Sequence, residues 1–269
     1  MRSGSEVCRS GQVRIHPTAI VHPDAELADG VEIGPYSIIA GTVKIGPGTS
    51  VGPRVTIEGN TIIGAENQIF TGAVIGSLTQ DKKYKGGTSY LRIGDRNKIR
   101  EYVTINPGTK EGTETMIGDD NLLMAYSHVA HDCAIKNFTV LANSATLAGH
   151  VVVEDRAIIG GLSAIHQFVK IGKLSLVGGC SKVVQDVPPF TIADGHPARV
   201  YGINVVGLDR AGFSKEEKMA LRKAFKILFR SGATLKSAQS QIEAQNLSSP
   251  SISTLLEFLN KSGGRGVCR

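Results

Sequence analysis

Residues 31–57 read VEIGPYSIIAGTVKIGPGTSVGPRVTI, and Ile33, Ile39, Ile45, Val51 and Ile57 fall six residues apart within them. The register extends both ways. From Ile15 to Val183 it visits 29 positions, of which 26 are Ile, Val or Leu. Asp81, Gly87 and Glu111 are the three exceptions. A sustained six-residue period is the signature of a stacked parallel β-helix, in which each short strand adds one inward apolar side chain to a continuous core. The expected fold is therefore an all-β solenoid of hexapeptide repeats. Four positions after each apolar residue stands something compact (Ala19, Ala25, Val31, Ser37, Val43, Thr49), and the next residue after it is often Gly (Gly34, Gly46, Gly52, Gly64).

Two segments interrupt the pattern and rejoin it in register. They are residues 76–92 (GSLTQDKKYKGGTSYLR) and 106–116 (NPGTKEGTETM), read as loops carried on the solenoid, where repeat proteins build binding faces. The repeat ends at QDVPPF, where Pro188 and Pro189 are expected to stop strand continuation. The organisation read is an extension over 1–14, a β-helix over 15–190, and a connecting segment with a helical unit over 191–269. In that unit Ser214-Lys-Glu-Glu217 is a capping box, followed at helical spacing by Leu221, Phe225 and Leu228 and closed by Ser231-Gly232. A second helix is expected from Thr234 (Leu235, Ala238 and Ile242 inward) and a third after Pro250 (Leu255, Leu256, Leu259). This small cap would cover an otherwise unpaired solenoid end.

Composition agrees with a narrow solenoid: Trp is absent, and 32 glycines suit a chain that turns a corner every few residues. No run of 18 apolar residues exists, so no transmembrane segment is expected. The net charge of +6 suggests an acidic partner or substrate, and without a nucleic-acid-binding motif nucleic acid is not expected to be that partner. Cys8, Cys133, Cys180 and Cys268 form no CxxC and read as buried or half-buried free thiols. The leader MRSGSEVCRSGQ is rich in Arg and Ser, which reads equally as the trimmed end of an organelle transit peptide or as an extraneous, frayed terminus, and it lacks an apolar secretory core.

A triangular helix takes three hexads per turn, so residues about 18 apart stack. On that map His128, His131, His150 and His166 lie on one side of three successive turns, and His131, Gly149 and Gln167 form a vertical ladder. Three readings stay open for this patch: a solvated surface cluster, a metal site, or general-base catalysis on a hydroxyl. Left-handed β-helix carbonic anhydrases bind metal through a His-x4-His pair, whereas only two residues separate His128 from His131. Asp132 is adjacent to His131 and would orient its imidazole if the corner allows, although neighbouring strand residues point to opposite faces.

The motifs AHDC (containing His131), NLLM at 121–124, LANSATLAGH ending at His150, AIIGG at 157–161, HQF at 166–168, VGGCS at 177–181 and QDVPPF at 185–190 closely resemble the acyl-[acyl-carrier-protein]:UDP-N-acetylglucosamine 3-O-acyltransferases. The resemblance runs from about Ile15 through GLDRAGF at 207–213 and the helical tail. It implies a homotrimer of left-handed parallel β-helices with active sites between subunits. It further implies transfer of a 3-hydroxyacyl chain from acyl carrier protein to the 3-hydroxyl of UDP-N-acetylglucosamine, the first step of lipid A biosynthesis, with no metal, cofactor or covalent acyl-enzyme. By motif, His131 is the general base and the Gly149 N–H the oxyanion donor. His128, His150, His166 and Gln167 match substrate-holding positions. Asp81 and Lys83 match contacts to sugar nucleotide and acyl donor, Asn204 and Arg210 match the nucleotide end, and Gly179 matches the position that sets acyl length, where Gly suggests room for a longer chain.

The chain departs from the pattern at Val206, where members often carry Glu, and at Ala211, where they often carry a second basic residue; both bear on nucleotide binding. Lys215, Lys218, Arg222, Lys223, Lys226 and Arg230 read either as a solvated face or as a dock for acidic acyl carrier protein. The alternatives weighed are a coenzyme A-dependent sugar-nucleotide acetyltransferase and a non-catalytic or metal-binding solenoid. For location, the leader tilts toward a plant organelle, the mitochondrion, while bacterial cytoplasm is the family default.

Overall fold

The computed structural model describes residues 11–245, 247, 249–262 and 264–269. The chain winds as a left-handed parallel β-helix of triangular section. Three sheets form its sides: a first of 11 strands, a second of nine and a third of eight. Nearly every coil strand is two residues long, and each pairs in parallel with the strand one coil away, Arg14 with Glu32 and Ile15 with Ile33. Across the two excursions the paired residues are Asn60 with Tyr90 and Tyr90 with Glu114. These spacings exceed one coil by two hexads and by one, so the loops leave the stack intact. Strands resume at Tyr90 and Glu114, slightly earlier than the period alone suggests.

Two side chains per hexad point inward. One is the periodic Ile, Val or Leu; the other is the compact residue two positions before the next one, such as Val31, Ser37, Val43 or Thr49, all fully buried. Larger polar residues also fill this second position. Asn67, Asn97 and Asn121 stack inside one corner, each Oδ1 accepting a backbone N–H from the next coil.

The corners differ from the reading of the glycines. The corner residue adopts φ near +60°, and at most corners it is not Gly: Tyr36 (59°), Arg54 (55°), Tyr126 (63°), Asp132 (57°), His150 (60°) and Phe168 (66°) are examples. A left-handed L-residue costs roughly 1–2 kcal/mol, offset here because its N–H donates to the corner carbonyl one coil back, as Arg54 does to Pro35 (2.9 Å). The glycines at 34, 46, 52 and 64 serve close approach instead. A Cβ at Gly34 would stand 2.7 Å from the Gly52 carbonyl carbon. One position before each corner residue the backbone N–H is outside the stacking pattern, which is why Pro17, Pro23, Pro35, Pro47 and Pro53 can all occupy it.

After Pro189 the sheet continues, contrary to expectation. Thr191–Gly195 pairs in parallel with Leu176–Val177, and Ala198–Ile203 folds back antiparallel on it as the terminal strand. A short helix α1 (Val205–Arg210), which the period did not disclose, follows with Asn204 as its N-cap. Helices α2 (Lys215–Arg230), α3 (Leu235–Ala244) and α4 (Pro250–Lys261) begin at the N-caps Ser214, Thr234 and Ser249. Leu221, Phe225, Leu228, Ala238, Ile242, Leu255 and Leu259 are buried. Cys133 and Cys268 are buried and unpaired, and burial pushes the Cys133 thiol up to about 12. Cys180 is exposed at a corner rather than half-buried, while Cys8 and the leader to residue 10 lie outside the described residues.

Because Gly34 is required by contact, Gly34→Ala is expected to lower stability by about 1–3 kcal/mol, read as a lower thermal midpoint. Gly202→Ala, whose Cβ meets nothing within 4 Å, should leave the midpoint unchanged. Equal midpoints for the two variants would refute the close-approach account.

Candidate active site

The edge joining the second and third sheets carries the histidines. Three successive coils place His131–Asp132, Gly149–His150 and Gln167–Phe168 there. Their backbones are tied in register: the His150 N–H donates to the His131 carbonyl (3.0 Å) and the Phe168 N–H to the Gly149 carbonyl (3.1 Å). His128 lies on the strand leading into this edge, and His166 follows the strand Ala164–Ile165. All four histidines thus share one edge.

Asp132 occupies a left-handed corner, so strand alternation does not separate it from its neighbour. Its Oδ2 lies 2.8 Å from His131 Nδ1. The same oxygen accepts the Thr109 N–H (3.2 Å) from the second loop, and the Asp132 N–H donates to Thr115 Oγ1 (2.8 Å). Burial pushes the Asp132 carboxyl up, but the His131 hydrogen bond, the Thr113 hydroxyl and the charges of His150 and His131 outweigh it and hold the group below the usual carboxylate range. An ionised carboxylate only accepts, so His131 Nδ1 carries a proton, and in the neutral imidazole Nε2 is the acceptor. Nε2 faces Asp81 of the first loop, whose Oδ2 is 3.7 Å away.

Gly149 is needed for this imidazole. A Cβ there would come within 2.4 Å of His131 Cε1. Its N–H occupies the position that prolines take in other coils, and it donates to no protein acceptor among the described residues. His150 stacks face to face on Phe168 (centroids 4.6 Å, 7°) and meets His131 edge-on (5.1 Å, 89°). His128 Nδ1 is 2.7 Å from Thr104 Oγ1, which leaves Nε2 for a ligand. Burial, then the charge of His131, depresses the His128 pKa. Burial also depresses that of His150, with Asp132 opposing and His131 and Lys110 reinforcing. Both shifts favour the neutral form of the imidazoles that neighbour His131. Lys83 contributes through its backbone: its side chain is exposed, and its N–H fixes Asp81 Oδ1 (2.9 Å).

The remaining residues singled out from sequence lie on other edges. Arg210 lines a cavity of about 200 Å³ against the first sheet, with Phe138, Arg156 and Leu174 near the third-to-first corner. Asn204, Val206 and Ala211 line it too, but the Asn204 amide is spent on fixing α1: Oδ1 accepts the Gly207 N–H (3.0 Å) and Nδ2 donates to the Leu174 carbonyl (2.9 Å). Gly179 is exposed at the first-to-second corner, where an added Cβ would find only ordinary contact, 3.4 Å from the Gly161 oxygen. One copy of the chain therefore separates its histidines, its Arg210 cavity and Gly179 onto three different edges.

Known proteins match this chain closely. A family model described as UDP N-acetylglucosamine O-acyltransferase, domain 2, covers residues 186–268. The acyl-[acyl-carrier-protein]–UDP-N-acetylglucosamine O-acyltransferase of Thiobacillus denitrificans is 53% identical over 256 residues, 95% of this chain and 99% of that protein. The chain belongs to that acyltransferase family. The solved LpxA of Acinetobacter baumannii superposes with a TM-score of 0.91 at 44% identity, covering 95% of this chain and 99% of that one. The Arabidopsis UDP-N-acetylglucosamine acyltransferase gives 0.85 at 37% identity, covering 95% and 100%.

Six participants went unread in the sequence of this acyltransferase: Thr104, Thr109, Lys110, Thr113, Thr115 and Phe168. Phe168 stands in the HQF motif and carries a signal, being one coil above His150. The others act through loop placement or a hydroxyl contact that spacing does not reveal. The depressed His128 pKa sets a pH dependence. Below an ordinary His value of about 6.5 the unfolded chain takes up a proton that the folded site resists, so stability is lost as pH falls through that value. In denaturation series from pH 7.5 to 5, His128→Gln should lose less stability than wild type; parallel curves would contradict the assignment.

Proposed function

We propose that this chain transfers a 3-hydroxyacyl group from acyl carrier protein to the 3-hydroxyl of UDP-N-acetylglucosamine, the opening step of lipid A biosynthesis, with His131 as general base. The observation that carries the reading is the His131–Asp132 pair, which turns Nε2 away from the carboxylate and next to Gly149, whose N–H has no protein acceptor among the described residues. The imidazole takes the hydroxyl proton as the sugar oxygen attacks the thioester carbonyl. Asp132 stabilises the imidazolium that forms. Charge developing on the carbonyl oxygen meets the Gly149 N–H. Collapse breaks the carbon–sulfur bond, and the thiolate takes the proton back from His131, leaving ester and free carrier thiol. Asp81 accepts from a sugar hydroxyl, and His128, His150, His166 and Gln167 frame the substrates.

The reaction needs no metal or cofactor in this reading. Ligand atoms of His131, Asp132 and His150 do lie within 4.8 Å of one another, but Asp132 Oδ2 already accepts from His131 and Thr109. The working unit is a homotrimer. A site that needs the histidine edge, Arg210 and Gly179 together draws them from neighbouring copies, with Arg210 at the nucleotide end and Gly179 at the end of an acyl groove open to longer chains. The acyl carrier protein docks on α2, where Lys215, Arg222, Lys223, Lys226 and Arg230 are exposed at helical spacing on one face. Lys218 is instead paired with Asp209, and the Arg230 Nη2 donates to the Tyr201 carbonyl (3.0 Å). Such a face acts mainly on the rate of encounter and weakens with salt. No helix among the described residues is long and apolar enough to cross a membrane. Higher identity with the Thiobacillus relative than with the Arabidopsis structure favours bacterial cytoplasm over the mitochondrion.

Incubating labelled UDP-N-acetylglucosamine with a panel of 3-hydroxyacyl carrier proteins should give a lipid-soluble product, unaffected by prior chelation. His131→Ala should reduce the rate by at least 10²–10⁴-fold, the range of general-base catalysis. A folded protein inactive with every donor would end the acyltransferase reading, and an active His131→Ala the mechanism.

A further inference from the structure

The C-terminal tail reaches back to the histidine edge. Arg265 Nε donates to the Gln167 carbonyl (2.9 Å), and its guanidinium lies over the Phe168 ring, 5.9 Å from the centroid. Phe168 is the ring on which His150 stacks, and His150 in turn meets His131 edge-on. Arg265 is partly buried. The tail beyond it is anchored independently. The Asp186 N–H donates to the Gly266 carbonyl and the Cys268 N–H to the Asp186 carbonyl, each at 2.9 Å. Val267 and Cys268 are buried, and Arg269 Nη2 donates to the Leu228 and Ala233 carbonyls (2.8 Å each) at the end of α2. Arg265 is thus presented to the last corner of the ladder from a fixed support.

We propose that Arg265 is a positioning residue: by holding the Gln167–Phe168 corner from above, it sets the plane of the His150 ring that walls the His131 pocket. This rests on the acyltransferase reading for its catalytic consequence, but not for its structural one. Phe168 is half exposed, and its ring lies between two contacts that bear on its orientation, the His150 stack and the Arg265 guanidinium. A planar guanidinium supplies both a directed N–H and a flat face to the ring, which an ammonium does not.

The test uses the full chain and four variants: Arg265→Ala, Arg265→Lys, Phe168→Leu and, as a control on the same tail, Arg269→Ala. Two readouts are taken: kcat against KM for UDP-N-acetylglucosamine, and the His150 imidazole titration by nitrogen-15 NMR. His150 faces His131, Asp132, Lys110 and Asp81, all retained in these variants, so any change reports Phe168 and Arg265. Arg265→Ala is expected to lower kcat about tenfold, as small misplacements at a reacting centre do, with a smaller change in KM. It should also move the His150 pKa upward as the ring regains water. Arg265→Lys should recover part of both, and Phe168→Leu should shift both in the same direction. Arg269→Ala should lower the thermal midpoint and leave both readouts at wild-type values. Arg265→Ala with unchanged kcat and His150 titration, or with a loss of thermal stability alone, would overturn the proposal. If that variant does not fold, unchanged readouts in Phe168→Leu and Arg265→Lys overturn it equally. If the wild type transfers no acyl group, the functional reading fails while the His150 titration still decides the structural one.

Discussion

Parallel stacking of coils at a fixed six-residue pitch governs the rest of this molecule. Each strand is too short to hold itself, so nearly all its hydrogen bonds run to the coils above and below. That requirement puts a left-handed residue at most corners, with its N–H committed to the previous coil. It also leaves the preceding N–H free. Where nothing is asked of the free N–H, the chain can place proline, as at Pro35 and Pro53. At Gly149 the same free N–H stands beside a histidine. In the proposed mechanism a general feature of the stack thereby supplies the oxyanion donor, without any strain peculiar to the site.

The same geometry explains why Asp132 can serve His131 although the two are consecutive. On a strand they would diverge. At the corner the backbone reverses, and the carboxylate folds back onto Nδ1. The two loops then act as inserts of whole hexads. They keep the register and bring Asp81 and Thr109 to the same corner from the flank. The stack supplies alignment and the loops supply the additional polar groups.

Much of this was legible in the sequence because period and spacing encode it directly. The hexad register located the sheets and showed that both excursions rejoin it. The 18-residue map put four histidines on one edge, and the capping residues Ser214 and Thr234 located two of the helices. What was not legible depends on contact rather than spacing. Glycine composition suggested glycine at the corners, whereas corner residues such as Tyr126 and His150 accept the left-handed conformation in exchange for a stacking hydrogen bond. Gly34, Gly46, Gly52 and Gly64 mark backbone contact between coils instead. The paired prolines suggested an end to the sheet, but Thr191 re-enters it once past them. Asn204 read as a nucleotide contact, yet its amide is consumed in capping α1, a helix too short for periodicity to reveal. The separation of Arg210 and Gly179 from the histidines followed from which side of the triangle each strand joins.

That separation makes the central claim testable in one measurement. His131→Ala and Arg210→Ala chains would each be inactive alone in the labelled-sugar assay. Unfolded together and refolded as mixed assemblies, they are predicted to regain activity approaching about a quarter of the wild-type sites, because some sites then draw an intact His131 from one copy and an intact Arg210 from its neighbour. Mixed assemblies as inactive as their parents would contradict a catalytic site shared between copies.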